Sequence, residues 1–302
     1  MEVFKTERKN KTITLPEAAS LVEDGMKLGV GGVTSNNASS AFMRELIRRG
    51  VKELTIIPTN NTGYQVDILI GAGCVKKLYM SYVGLDYIGL APNFRRLAES
   101  GKLDVVDLCE LGLLRALRAG GIGTAFFPLP DGILALDNVK LNPDWYKVID
   151  DPFTGKKVVV VPPLRCDIAV FHVAKCDAYG NAREVGMMNA EHLFQAADKV
   201  IITTEEIVPL MDTMANYKEV TMPGDFVDAV VEIPYGSHPG ECHGGGYTFD
   251  EEHLREYINA GKDEASFKKY LDEYVYQPKN HEEYLEKIGT ARLLKLRKNK
   301  YY

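Results

Sequence analysis

The chain has 302 residues, enough to bury one large core or two modest ones. With 45% hydrophobic and 26% charged residues it has the composition of a globular protein. Its formal charge of −6, from 36 Lys and Arg against 42 Asp and Glu, argues against nucleic acid or an anionic membrane surface as a partner.

The N-terminal stretch MEVFKTERKN is polar and lacks the apolar centre of a secretory signal, and no apolar run approaches bilayer length, so a cytoplasmic protein is expected. Thr14-Leu-Pro-Glu17 fits a capping box and predicts a helix to about Asp24. The strand MKLGVGGV follows, then a helix over 41–49 closed by Gly50, a residue suited to a left-handed cap. Next come the strand ELTIIPT, a helix over 66–72, the strand KKLYMSY, a helix over 94–100 and the strand KLDVVDL. Alternating strands and helices with short connections predict an α/β fold: a mainly parallel sheet with helices on both faces. Ligands of such sheets gather at the carboxyl ends of the strands. From Gly120 to about Lys156 glycines and prolines multiply and a loop is expected. Four apolar strands then follow, KKVVVV, DIAVFHV, KVIITT and DAVVEI, each expected to be buried on both faces. Beyond Phe249 the pattern is charged and helical, so the chain divides into an α/β domain, 1–248, and a helical extension, 249–302, packed on that domain or on a partner. The cationic tail from Arg292 to Lys300 is expected to be a solvated terminal helix.

Three local patterns invite chemistry. In MKLGVGGVTS, Gly29 and Gly31 supply the first two glycines of a dinucleotide fingerprint, but Thr34 stands at the third and the acidic residue about twenty positions on, Glu53, begins a strand. The run from His238 to His243 gathers His, Glu, Cys and His within six residues, without the second ligand pair that tetrahedral zinc usually takes, so no metal is expected. The five cysteines, Cys74, Cys109, Cys166, Cys176 and Cys242, are odd in number and widely spaced, as reduced thiols would be. No GxSxG elbow occurs. Two carboxylates remain as candidates: Glu110, just after an apolar strand in LCELG, and Glu184 after GNAR, each also readable as a solvated or salt-bridged group.

Taken in order, several motifs resemble the A subunits of family I coenzyme A transferases. DGMKLGVGGV is similar to that family's DG-x-x-apolar-GGF signature, with Val33 where phenylalanine is usual. ELGLLRALRAGGIGTAFFPLPDG resembles its E-L-x-x-G-T-L…R-A-G-G-x-G…F-x-P segment, and CDAYGN its D-x-x-G-N turn. VDAVVEIPYGSHP, the following CHG and HEEYLEKIG look like the glutaconate type of A subunit. The resemblance covers nearly the whole chain. It implies a CoA-transferase fold, no permanently bound cofactor, a coenzyme A thioester and a small carboxylic acid as substrates, and ping-pong chemistry through a glutamyl-CoA thioester.

In that family the nucleophilic glutamate belongs to the B subunit, in an SENG-like setting that is missing here. The resemblance therefore implies half an enzyme, paired with a homologous B chain in a heterotetramer or larger assembly. It implies that Gly31 and Gly32 offer backbone N–H groups to an acyl oxygen. It places Thr34, Ser35, Asn36, Asn60, Asn61, Tyr82 and Gly84 along the acyl pocket, with Glu110 near the reacting carbonyl. Gly180 and Asn181 are read as a structural turn. Thr34-Ser-Asn-Asn-Ala-Ser-Ser40 lacks the basic residues that relatives acting on dicarboxylates carry, which points to a short, neutral or monocarboxylic acyl group. A ring-opening acyl-CoA hydrolase using a carboxylate of this chain and a non-catalytic acyl-CoA-binding relative are the alternatives.

Overall fold

The computed structural model describes residues 8–183 and 190–298. Nine strands form its main sheet: β1 (Lys27–Val30), β2 (Leu54–Pro58), β3 (Val75–Met80), β4 (Asp104–Asp107), β5 (Cys166–Asp177), β6 (Ala182–Arg183), β7 (Ala197–Val208), β8 (Val220–Met222) and β9 (Ala229–Glu232). Seven of them lie parallel in the order β4-β3-β2-β1-β5-β7-β9, and β6 and β8 add antiparallel at the end of β5. The α/β architecture with a mainly parallel sheet is thus as expected. Alternation along the strands divides the core in two. Leu28, Ile56, Ile168, Val170 and Ile201 pack on one face, whereas Ile57, Ala169, Phe171, Val200 and Ile202 pack on the other.

The local signals in the N-terminal half hold. Helix Leu15–Ser20 carries the capping box, with the Glu17 carboxylate accepting from Thr14 N at 2.8 Å, and it ends four residues short of the expected Asp24. Helix Ser40–Arg49 ends at Gly50 with φ 72°. Two differences concern the middle of the chain. Glu110 opens a 13-residue helix, Glu110–Ile122, with Cys109 at its N-cap, where the sequence pattern predicts no helix. The glycines in that segment lower its intrinsic propensity, and burial of Leu113, Ala116 and Leu117 overrides the deficit. KKVVVV lies outside the main sheet. Lys157–Val161 pairs antiparallel with Phe127–Pro128 and Lys147–Asp150 in a separate three-stranded sheet. A run of four valines carries no information about which sheet it joins.

Residues of the C-terminal helices Glu251–Ala260 and Glu264–Leu271, among them Leu254, Tyr257, Phe267 and Tyr270, enter the same cluster as Leu28 and Ile56. The carboxylate of Asp67, fully buried, fixes this contact. It accepts from Tyr257 Oη at 2.5 Å, Phe94 N at 2.6 Å and Asn93 Nδ2 at 3.0 Å. No helix of the described residues is long and apolar enough to cross a membrane.

Candidate functional site

The first four strands of the parallel array each end in a turn that carries polar side chains, and these turns touch. After β1, the chain reverses tightly: Val33 N donates to Asn36 O at 2.9 Å and Asn36 N to Val33 O at 2.8 Å, leaving Thr34 and Ser35 at the tip. Glycine is required just before it. Gly32 sits at φ 90°, and a Cβ there would lie 2.7 Å from Asn37 O. At Gly31 a Cβ would meet the Phe171 ring at 2.3 Å, so this glycine serves packing. The Gly31 amide donates to Val170 O at 2.9 Å. Of the two glycines expected to offer an N–H, Gly31 has its donor committed, and Gly32 has no acceptor among the described residues. The tip is backed by the loop that follows β9: Glu241 N donates to Ser35 O at 2.8 Å and Asn37 N to Glu241 O at 2.8 Å.

Beyond β2, Asn61 pairs in parallel with Tyr82, which follows β3, and Thr34 N donates to Asn61 O at 3.2 Å. Gly84 leaves space that the Tyr82 hydroxyl fills, and Gly84 N donates to Thr62 O at 2.9 Å. Asp86, two residues on, accepts from Thr34 Oγ1 at 2.6 Å. Thr34 and Asp86 both stand at φ 51°, an uncommon conformation for residues with a Cβ. Asp86 is not among the residues that the sequence motifs point to, although a polar residue in the turn YVGLD at a strand's carboxyl end is a signal available there.

Asn60 joins the last element. Its Nδ2 donates to Glu110 Oε1 at 3.1 Å, and Ser81 Oγ donates to its carbonyl at 3.0 Å. Asn60 is fully buried and Glu110 is exposed at the first turn of its helix. Asn60 Oδ1 and the Ser35 hydroxyl are buried without a partner. Among the described residues no Lys or Arg pairs with Glu110 or Asp86. The structure therefore brings Gly32, Thr34, Ser35, Asn60, Asn61, Tyr82, Gly84 and Glu110 to one rim. Asn36 sits at the base of the first turn. Gly180 and Asn181 lie elsewhere, in the turn between β5 and β6, where Asn181 Nδ2 donates to Asp177 Oδ2 at 2.8 Å and Gly224 N donates to Asn181 Oδ1 at 3.0 Å. Glu184 lies outside the described residues.

The six-residue run of potential metal ligands is dispersed. His238 faces Tyr284 Oη (2.7 Å) and Asp250 Oδ2 (3.1 Å), whereas His243 faces Glu241 Oε1 (2.9 Å). Cys242 meets two residues from other strands, His172 and Glu205, with ligand atoms within 4.8 Å of one another. Both Glu205 oxygens are already engaged, Oε1 by Tyr247 Oη at 2.6 Å and Oε2 by Tyr235 N at 2.6 Å. The Cys242 thiol is pushed well up by burial and the nearby Glu205 charge. This is a hydrogen-bonded knot, and a thiol so placed is a poor source of thiolate.

Comparison with known proteins gives these elements a context. Residues 12–233 match the family model described as Coenzyme A transferase. An uncharacterized protein of Archaeoglobus fulgidus is 37% identical over 97% of this chain, which spans 65% of that relative's length. The A subunit of glutaconate CoA-transferase from Acidaminococcus fermentans is 32% identical over 95% of both chains. The cholesterol ring-cleaving hydrolase IpdA subunit of Rhodococcus jostii is 28% identical over 89% of this chain and 93% of its own. The crystal structure of the Acidaminococcus fermentans glutaconate coenzyme A-transferase superposes with a TM-score of 0.87 at 31% identity, over 95% of each chain.

Proposed function

The chain belongs to the coenzyme A transferase family, and from that premise we propose that it is the A subunit of a two-chain enzyme that moves CoA between an acyl-CoA and a free carboxylic acid. The whole-chain match to the glutaconate enzyme's A subunit, in sequence and in fold, carries this reading. The strand-end rim supplies one wall of the acyl pocket: Gly32 N offers a donor, Thr34, Ser35 and Asn61 line the turn, and Glu110 stands at its edge. The nucleophile comes from a homologous B chain in the cytoplasm, and the pair assembles as a heterotetramer or larger.

The B-chain glutamate attacks the thioester carbonyl, giving an acyl-glutamyl anhydride and CoA thiolate. The thiolate attacks the glutamyl carbonyl, releasing the first acid and leaving a glutamyl-CoA thioester. The second acid's carboxylate displaces the thiolate to form a new anhydride, and the thiolate then takes the new acyl group and frees the glutamate. Negative charge develops on a carbonyl oxygen at each attack, which is where the uncommitted Gly32 amide is useful. No metal or redox cofactor enters. With no cation among the described residues paired to either rim carboxylate, the acyl group is short and neutral or monocarboxylic.

A ring-opening hydrolase is the second reading, favoured by the Asn60–Glu110 contact: an exposed, oriented carboxylate can activate water. Incorporation of labelled acetate into a short acyl-CoA pool separates the two. Exchange by the two-chain complex alone, abolished by borohydride in the presence of acyl-CoA, is the expected result. Thioester loss without exchange makes the protein a hydrolase, and exchange by the single chain overturns the half-enzyme reading.

A further inference from the structure

The rim keeps uncommitted donors in the Gly32 amide and the Ser35 hydroxyl, and two of its side chains, Asp86 and Glu110, are carboxylates that can take up more bonds. Glu110 Oε1 takes a hydrogen bond from Asn60, and an ionised carboxylate can only accept, so the carboxamide must turn its NH₂ towards it. That orientation leaves Asn60 Oδ1 as a carbonyl acceptor, buried and unanswered. A buried acceptor without a donor is costly, and it persists where a ligand or water supplies one. Across the rim, Asp86 is an exposed carboxylate 2.6 Å from the Thr34 hydroxyl, whose proton Val33 O also accepts at 2.7 Å. A ligand carboxylate brought here meets Asp86 and Glu110, which have no paired cation among the described residues to offset the repulsion.

We infer that the rim selects an acyl group bearing a hydroxyl close to its carbonyl, received by Asn60 Oδ1, and rejects one that ends in a carboxylate. The inference rests on the acyl pocket lying at this rim, as proposed above. A hydroxyl suits the nearly covered Oδ1 because it is a small donor and carries no charge. Asn60 is thus a specificity residue, with Glu110 holding it in the accepting orientation.

The test uses the complex of this chain with its partner and compares butyrate, 3-hydroxybutyrate and glutarate as CoA acceptors from acetyl-CoA. The kcat/KM for the hydroxy acid should exceed that for butyrate about tenfold, with glutarate below both. Asn60→Leu should bring the first ratio close to one, and Asp86→Asn should raise glutarate relative to butyrate. Equal rates for butyrate and 3-hydroxybutyrate, or glutarate as the best acceptor, overturn the selection while leaving the transferase reading intact. If no acid exchanges, the transferase reading falls, and calorimetric titration with 3-hydroxybutyryl-CoA and butyryl-CoA still decides the selection. About tenfold tighter binding of the hydroxyacyl thioester, lost in Asn60→Leu, supports it, and equal affinities sink it.

Discussion

Two buried polar regions of this molecule are built on opposite terms. Where the C-terminal helices meet the sheet domain, Asp67 is surrounded by donors: Tyr257 Oη, Asn93 Nδ2 and the Phe94 amide all bond it. At the strand-end rim, by contrast, Asn60 Oδ1 and the Ser35 hydroxyl have no partner, and Thr34 and Asp86 hold strained backbones. A saturated network specifies how elements pack, whereas an unsaturated one keeps bonding capacity for something outside the chain. Polar residues of the first kind hold the fold together, and those of the second kind are available for function.

Substitutions in the two regions should have unequal effects on stability. Asp67→Ala strips the acceptor from four donors and should cost about 3 kcal/mol in urea unfolding; a loss under about 1 kcal/mol would show that the network is not saturated by Asp67. Acidification comes next. Burial holds His238, His253 and His281 neutral, with His281 lowered to about 3 by burial and by Arg44 beside it. Unfolded histidine binds a proton near pH 6.5, so below that pH the unfolded chain takes up more protons than the native one. Stability should therefore fall as the pH drops from about 6.5 towards 3, by about 2 kcal/mol for His281 alone between pH 6.5 and 5. His281→Gln should flatten the thermal midpoint's pH profile by that histidine's share, and an unchanged profile would contradict the assignment. Tyr257→Phe should cost about 1 kcal/mol by removing the bond to Asp67 and the one accepted from Asn93 Nδ2. Asn60→Leu belongs at the bottom of the stability scale, within about 1 kcal/mol of the wild type, because it removes an orphaned acceptor together with one bond to an exposed carboxylate. A large loss there would move Asn60 to the structural side of the comparison.

Much of this is legible in the sequence because its signals are local. The capping box at Thr14, the cap at Gly50 and the alternation of apolar strands with helices each involve residues within one turn or one strand of each other, and the structure follows them. The glycine turn is legible for the same reason. What cannot be read is the pairing that makes the rim. Asn60 and Glu110 are fifty residues apart, and Thr34 and Asp86 fifty-two, so no spacing rule links them. The helix from Glu110 is hidden by glycines whose low propensity is overridden by packing, and the strand from Lys157 joins a sheet other than the expected one because short apolar runs look alike in both.

The excursion between Gly123 and Lys156 is tied down at its root. Asn138 and Asn142 donate to Asp107 O at 3.1 and 2.8 Å, and Cys109 N, one residue before Glu110, donates to Tyr146 Oη at 3.1 Å. Its far tip, where Phe153 is 95% exposed, makes no such ties to the rim. The excursion therefore behaves as a bracket bolted beside the Glu110 carboxylate with a free outer end. A reporter dye or affinity tag inserted near Gly155 would ride on that end without disturbing the reacting groups, whereas shortening the bracket from its root would loosen the mounting of Glu110 itself.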